Sequence, residues 1–197
     1  MTMPSCRLYL VAPVRDDLAA MIQILNAAAE GGDIAALLIR HELAIHKDAD
    51  TLVEAAQRRG IAAIIGKDAA LALSLRADGV EIDADPAAYT AARTKLGTSA
   101  ITGADCGTSR HNAMTLGEAG ADYVALASTP GEELISWWSG LFEVPCVCTN
   151  ELSLEDAPAV IRAGADFVRP DASMWQSPDA ARRMVDRLNR LIAEHAP

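Results

Sequence analysis

One short phrase returns along this chain at a fixed interval. "GADYV" occupies residues 120–124 and "GADFV" residues 164–168, 44 residues later. The same step backwards from residue 120 reaches "RADGV" at 76–80, and one step more reaches "GDIAA" at 32–36. Each copy follows a helix-like segment and opens a short apolar run. Gly120 and Gly164 stand where a helix should stop, because glycine takes the left-handed conformation past a helix end without steric cost. The residues after the Asp, "YVALA" and "FVR", are rich in branched and aromatic side chains and predict buried strands. Between copies there is room for helix, strand and helix. "VEIDADPAAYTAARTKLGTSAITG" shows it: a strand, a helix started by Asp85 and Pro86, then "TSAIT" as the next strand.

Read through, the pattern predicts strands near 8–12, 35–40, 61–66, 78–82, 98–102, 121–127, 144–149 and 165–169. Helices follow each at about 16–30, 48–59, 68–76, 86–96, 109–119, 130–142, 153–163 and 178–195. The last opens on Ser177 and Pro178 and carries an apolar stripe of Ala181, Met184, Val185 and Leu188. Alternation eight times over means parallel strands covered by helices, and eight such strands normally close. A doubly wound open sheet is the alternative, but it gives no reason for a repeat at each quarter-turn. The expectation is one α/β domain over residues 1–197, a single (β/α)8 TIM barrel with short loops.

The 197 residues suffice for one sizeable core. A net charge of −10 argues against nucleic acid as a partner, since phosphates require a basic footprint. No apolar run approaches the ~18 residues that span a bilayer, so no membrane partner is expected. The opening "MTMPSCRLYLVAPVRDD" lacks the marks of a signal peptide, and the cytoplasm is the expected location. Cys6, Cys106, Cys146 and Cys148 form no CxxC pair. We read all four as reduced, buried and structural rather than as ligands or a redox couple.

In a barrel of this kind chemistry sits at the C-terminal strand ends. Those ends carry Arg40, His41 and Glu42, then Lys67 and Asp68, then Glu81, Asp83 and Asp85. Asp105, Ser128 and Thr129, Thr149 and Asn150, and finally Arg169 and Asp171 complete the ring. The cations Arg40, Lys67 and Arg169 among these acids suit a small polar or anionic ligand.

The order "LYLV", an Arg closing strand two, "DGVEI", "GADYV", "VPCV" and "GADFV" resembles the thiamine phosphate synthase family and its thiazole tautomerase relatives, over about residues 7–190. The resemblance implies a (β/α)8 barrel of thiamine biosynthesis. Its synthases join a pyrimidine methyl pyrophosphate to a thiazole phosphate and release pyrophosphate with the help of magnesium. Against the family's Gln-x-Arg-x-Lys after strand two, "LIRHE" keeps Arg40 but has Leu38 and Glu42. Against Asn-Asp-Arg after strand three it has Gly66, Lys67 and Asp68, so a lysine replaces a metal carboxylate. Glu81 takes the place of the family's histidine after "DGV". The Thr-rich, Lys-ending clamp after strand six has become "STPGEELISWW", and the Gly-Gly loop after strand seven is Thr149-Asn150. A catalytically silent member that binds a metabolite or a partner protein is the alternative to an enzyme.

Site expectations follow. Arg40, Lys67, Thr129, Asn150 and Arg169 are the candidate phosphate ligands; Lys67, Glu81 and His111 are the candidate catalytic groups. Asp68 and Asp85 are the acids that could stand in for magnesium ligands, with Lys67 weakening the case for the metal. Each has a plainer reading: an ion pair of Arg40 with Glu42 or Asp68, an ion pair of Lys67 with Asp83 or Asp85, a surface role for His111, and a T-x-x-E capping box for Thr129. Trp137 and Trp138 are adjacent and cannot both face the core. The outward one, with Leu141 and Phe142, offers half of a homodimer contact.

Overall fold

The computed structural model describes residues 6–127 and 133–195, and its eight parallel strands close into a ring in chain order. The strands are β1 (Arg7–Ala12), β2 (Ala36–Ile39), β3 (Ala62–Gly66), β4 (Gly79–Asp83), β5 (Ile101–Gly107), β6 (Tyr123–Leu126), β7 (Cys146–Leu152) and β8 (Phe167–Pro170). β8 returns to β1 through the register Arg7 with Phe167 and Leu8 with Val168. An open sheet is thereby excluded. The helices outside are α1 (Leu18–Gly31), α2 (His41–Ala44), α3 (Ala49–Arg58), α4 (Ala69–Ser74), α5 (Pro86–Leu96), α6 (Arg110–Glu118), α7 (Glu133–Ser139), α8 (Ala157–Arg162) and α9 (Pro178–His195).

The repeated phrase lies at the N-terminal face, and its glycine and its Asp each have a mechanical task. Gly120 and Gly164 adopt φ of 93° and 94°, turning the chain from helix to strand. Arg76, their counterpart in the second copy, takes φ 54° despite its Cβ. The Asp then reaches sideways to the preceding odd-numbered strand. Asp78 Oδ2 accepts the Ala63 N–H at 2.7 Å, Asp122 Oδ2 the Thr102 N–H at 2.7 Å, and Asp166 Oδ2 the Cys146 N–H at 2.8 Å. In the first copy the acid comes one residue earlier. Asp33 there pairs with the Arg7 guanidinium at 2.6 and 2.9 Å instead. The repeat is thus a device that ties each strand pair together at its start.

Strand five departs from expectation. It begins at Ile101 and runs to Gly107, later and longer than "TSAIT", and so contains Asp105 rather than preceding it. Gly103, which reads as a breaker, is required inside the strand: a Cβ there would lie 2.0 Å from Tyr123 Cζ. The short helix α2 and a 3-10 turn at Ala172–Gln176 were not anticipated, and α4 and α8 are shorter than expected.

Apolar side chains fill two shells. The outer lies between strands and helices and holds all four cysteines as free thiols. Burial pushes the Cys6, Cys106 and Cys146 thiols up to about 12, so none is a ready nucleophile. The inner shell, in the lumen, is built from Tyr9, Leu38, Ile64, Tyr123 and Val147 with Phe167 packed against it. Trp138 is fully buried, stacks on Phe142 at 4.1 Å and donates its indole N–H to the Val144 carbonyl. Trp137 is half-buried beneath the Arg110 guanidinium, 4.7 Å from its ring centre. Helix α9 packs against α1 and closes the outer ring, and Asn189 donates across the seam to the Asp33 carbonyl at 3.2 Å. Gly31 is needed there, since a Cβ would come within 2.5 Å of the Arg182 carbonyl oxygen. Among the described residues no helix is long and apolar enough to cross a membrane.

Candidate active site

Strand period decides which side chains reach the lumen, because alternate residues point to opposite faces. Glu81 on β4 and Arg169 on β8 both point inward and meet across the barrel. Arg169 Nη2 lies 2.9 Å from Glu81 Oε2, and the two residues are 7% and 6% exposed. The same oxygen accepts from the hydroxyls of Tyr9 at 3.0 Å and Tyr123 at 3.1 Å, which are 2.8 Å from each other. The guanidinium also sits 4.8 Å above the Tyr9 ring, a cation–π contact. Burial and the Glu81 charge push both tyrosines well above the ordinary phenol range, so they remain donors. Burial is the largest influence on Arg169 and opposes its charge, but Glu81, Tyr9, Tyr123 and Asp105 together outweigh it and raise its pKa. Arg169 Nε is buried and has no partner among the described residues.

This knot forms part of the floor of a cavity of about 180 Å³ at the C-terminal mouth. Its wall includes Leu38, Arg40, His41, Glu42, Gly66, Lys67, Ile82, Asp83 and Asp105. Arg40 closes β2, and its carbonyl starts α2 by accepting from the Leu43 and Ala44 N–H groups. Its guanidinium is exposed and makes neither the Glu42 nor the Asp68 ion pair, and no hydrogen bond is formed by it among the described residues. Lys67 reaches Asp83 instead, 2.9 Å from Oδ1 and 3.1 Å from Oδ2. The hydrogen bond and charge of Asp83 raise the Lys67 pKa, so the group is a fixed cation and not a neutral base.

Of the candidate ligands and catalytic groups, the structure brings four to this cavity: Arg40, Lys67, Glu81 and Arg169. It sets others apart. Asp68 caps α4, accepting from the Ala70 and Leu71 N–H groups at 2.9 Å, and Asp85 caps α5 from Ala87 at 2.8 Å. His111 is exposed in the first turn of α6 and does not line the cavity. Asn150 lies in β7, its Oδ1 3.8 Å from Cys148 Sγ, also away from the described lining. Thr129, with its capping box, falls outside the described residues. Tyr9 and Tyr123 were missed, although they share the inward parity of their strands. A tyrosine at such a position needs a polar partner, and that requirement was the available signal.

A closed parallel barrel with a polar, charge-lined mouth at its C-terminal strand ends defines the class: a (β/α)8 barrel protein. The model of the thiamine monophosphate synthase family matches residues 8–169. A thiamine-phosphate synthase of Rhodospirillum centenum is 35% identical, over 96% of this chain and 99% of that protein. One from Erythrobacter litoralis is 34% identical, over 89% and 91%. Among solved structures, thiamine phosphate pyrophosphorylase from Pyrococcus furiosus shares the fold with a TM-score of 0.79 at 20% identity, covering 98% of both chains. The chain belongs to the thiamine monophosphate synthase family.

Magnesium, which the resemblance implies, does not fit the residues found here. No three His, Cys, Asp or Glu side chains among the described residues are grouped to hold a metal. Asp68 and Asp85 are engaged as helix caps, and Asp83 is held by Lys67.

Proposed function

We propose that this chain serves thiamine biosynthesis by binding a small heteroaromatic phosphate, of the thiazole phosphate or thiamine phosphate type, at the C-terminal mouth. The observation that carries this reading is the Arg40 guanidinium, unpaired among the described residues at the rim of a cavity with apolar wall at Leu38 and Ile82. A guanidinium fork matches two phosphate oxygens, and the apolar Leu38 and Ile82 side chains suit the face of a ring.

The charge pattern bears on the reaction. Release of pyrophosphate needs several cations or N–H donors converging on the leaving group, each typically worth ~2–4 kcal/mol. Here Arg40, Lys67 and Arg169 face Glu42, Glu81, Asp83 and Asp105, and two of the cations are already paired. Pyrophosphate-releasing condensation is therefore expected to run below the ordinary ~1–1000 per second. A proton transfer on a bound ring asks for less. Among the described residues Glu81 Oε2 meets three donors, while Oε1 receives a single 3.3 Å contact from Arg169 and is the less committed oxygen. A silent metabolite-binding role is the second reading, favoured by the commitment of Asp68 and Asp85 to helix caps.

Calorimetry with thiazole phosphate, thiamine phosphate and pyrophosphate, with and without magnesium, tests the proposal. Arg40→Ala should weaken the two ring phosphates by about 10- to 100-fold, the worth of a charge-assisted hydrogen bond or two. Unchanged affinity would reduce Arg40 to a solvated rim charge and overturn the reading. Turnover assays on the same ligands separate the enzyme from the silent binder.

A further inference from the structure

Lys67 adopts φ 69°, a left-handed conformation that residues with a Cβ seldom take. Its N–H donates to the Glu81 carbonyl at 2.7 Å, fixing the turn after β3 against β4. From there the side chain crosses to β4, and its ammonium meets both oxygens of Asp83 at 2.9 and 3.1 Å. Asp83 and Asp105 are direct neighbours in the parallel register of β4 and β5. Side by side, two carboxylates repel unless a cation stands between or beside them. Glu42 lies on the same cavity wall, and Asp83, Asp105 and Glu42 all act on Lys67 to favour its charged form. Hard carboxylate oxygens of this kind are what a divalent cation uses.

We infer that the Lys67 ammonium is a built-in cation, seated among the β4 and β5 carboxylates where a divalent metal would otherwise gather, and that it frees the mouth from metal dependence. An ammonium supplies one charge and up to three hydrogen-bond donors, and it is tethered. It neutralises Asp83 at any magnesium concentration, whereas a hydrated divalent ion comes and goes. The inference rests on the protein's own charges and holds whichever ligand the mouth accepts.

Manganese(II) binding to the whole protein at low salt, by electron paramagnetic resonance or calorimetry, provides the test. Lys67→Asn and Lys67→Gly both remove the ammonium, and both residues accept the left-handed backbone, so at least one of them should fold as the parent does. Wild type should show no saturable site tighter than about 1 mM, the weak end of carboxylate sites. Both variants should bind manganese at least tenfold more tightly, and adding Asp83→Asn to Lys67→Asn should abolish the gain. Equal affinity in wild type and variants overturns the inference. So does a gain that survives the loss of Asp83.

Discussion

The two ends of this barrel use acids in opposite ways. At the N-terminal face Asp78, Asp122 and Asp166 repeat one geometry, each carboxylate accepting a strand N–H at 2.7–2.8 Å. At the C-terminal mouth Glu81 pairs with Arg169, Asp83 pairs with Lys67 and Asp105 accepts the Gly107 N–H, so no one joint recurs. Repetition marks the end that holds the strands together, because the same joint works wherever a strand pair starts. Irregularity marks the end where ligand shape, not strand pairing, chooses the residues.

Glu81 tests that division most severely, since it belongs to the mouth yet is buried like a structural group. Removing one partner of a buried ion pair leaves the other uncompensated, and Glu81→Ala should cost about 3–5 kcal/mol in urea unfolding. A loss under about 1 kcal/mol would mean that water reaches Arg169 and that the knot belongs wholly to the mouth. Next in size is Asp122→Ala at the opposite end. It strands the Thr102 N–H and removes the carboxylate 2.7 Å from the Arg93 guanidinium, which keeps its bonds to the Ala100 and Gly120 carbonyls, and should cost about 1–2 kcal/mol without altering ligand affinity. A change in ligand affinity would blur the separation of the two ends. The smallest effect is a gain. Arg76→Gly restores the glycine that the third and fourth copies have at this left-handed position and should stabilise by about 0.5–1 kcal/mol, readable as a raised melting temperature. Destabilisation would show that the Arg76 side chain has a role beyond its distant 3.9 Å approach to Glu54.

The same contrast explains what sequence could and could not reveal. The ring of strands was legible because glycine, Asp and the apolar run recur in order, and local chemistry dictates each. Strand five slipped because Gly103 reads locally as a breaker, whereas the Tyr123 ring, from a different strand, demands it. At the mouth, strand-end position alone found Arg40, Lys67, Glu81 and Arg169. It also offered Asp68 and Asp85 as metal ligands, although the Asp85-Pro86 pair already announced a helix cap, which is what both acids became. His111 followed its helix to the exposed surface. The links from Tyr9 and Tyr123 to Glu81 span 72 and 42 residues of chain, and no local pattern records them.

The seam between α1 and α9 sets the order in which this ring can be finished. On the ribosome α1 emerges early, with Leu18, Met21, Leu25 and Ala28 ready to be buried. The helix packed beside α1 is made only after all eight strands, so the side of α1 that meets it waits uncovered until then. Such waiting invites mispairing and aggregation, and late closure makes the barrel a slow folder by topology. The tight fit of Gly31 under the Arg182 carbonyl then acts as a clasp, engaging last and locking the circle from outside.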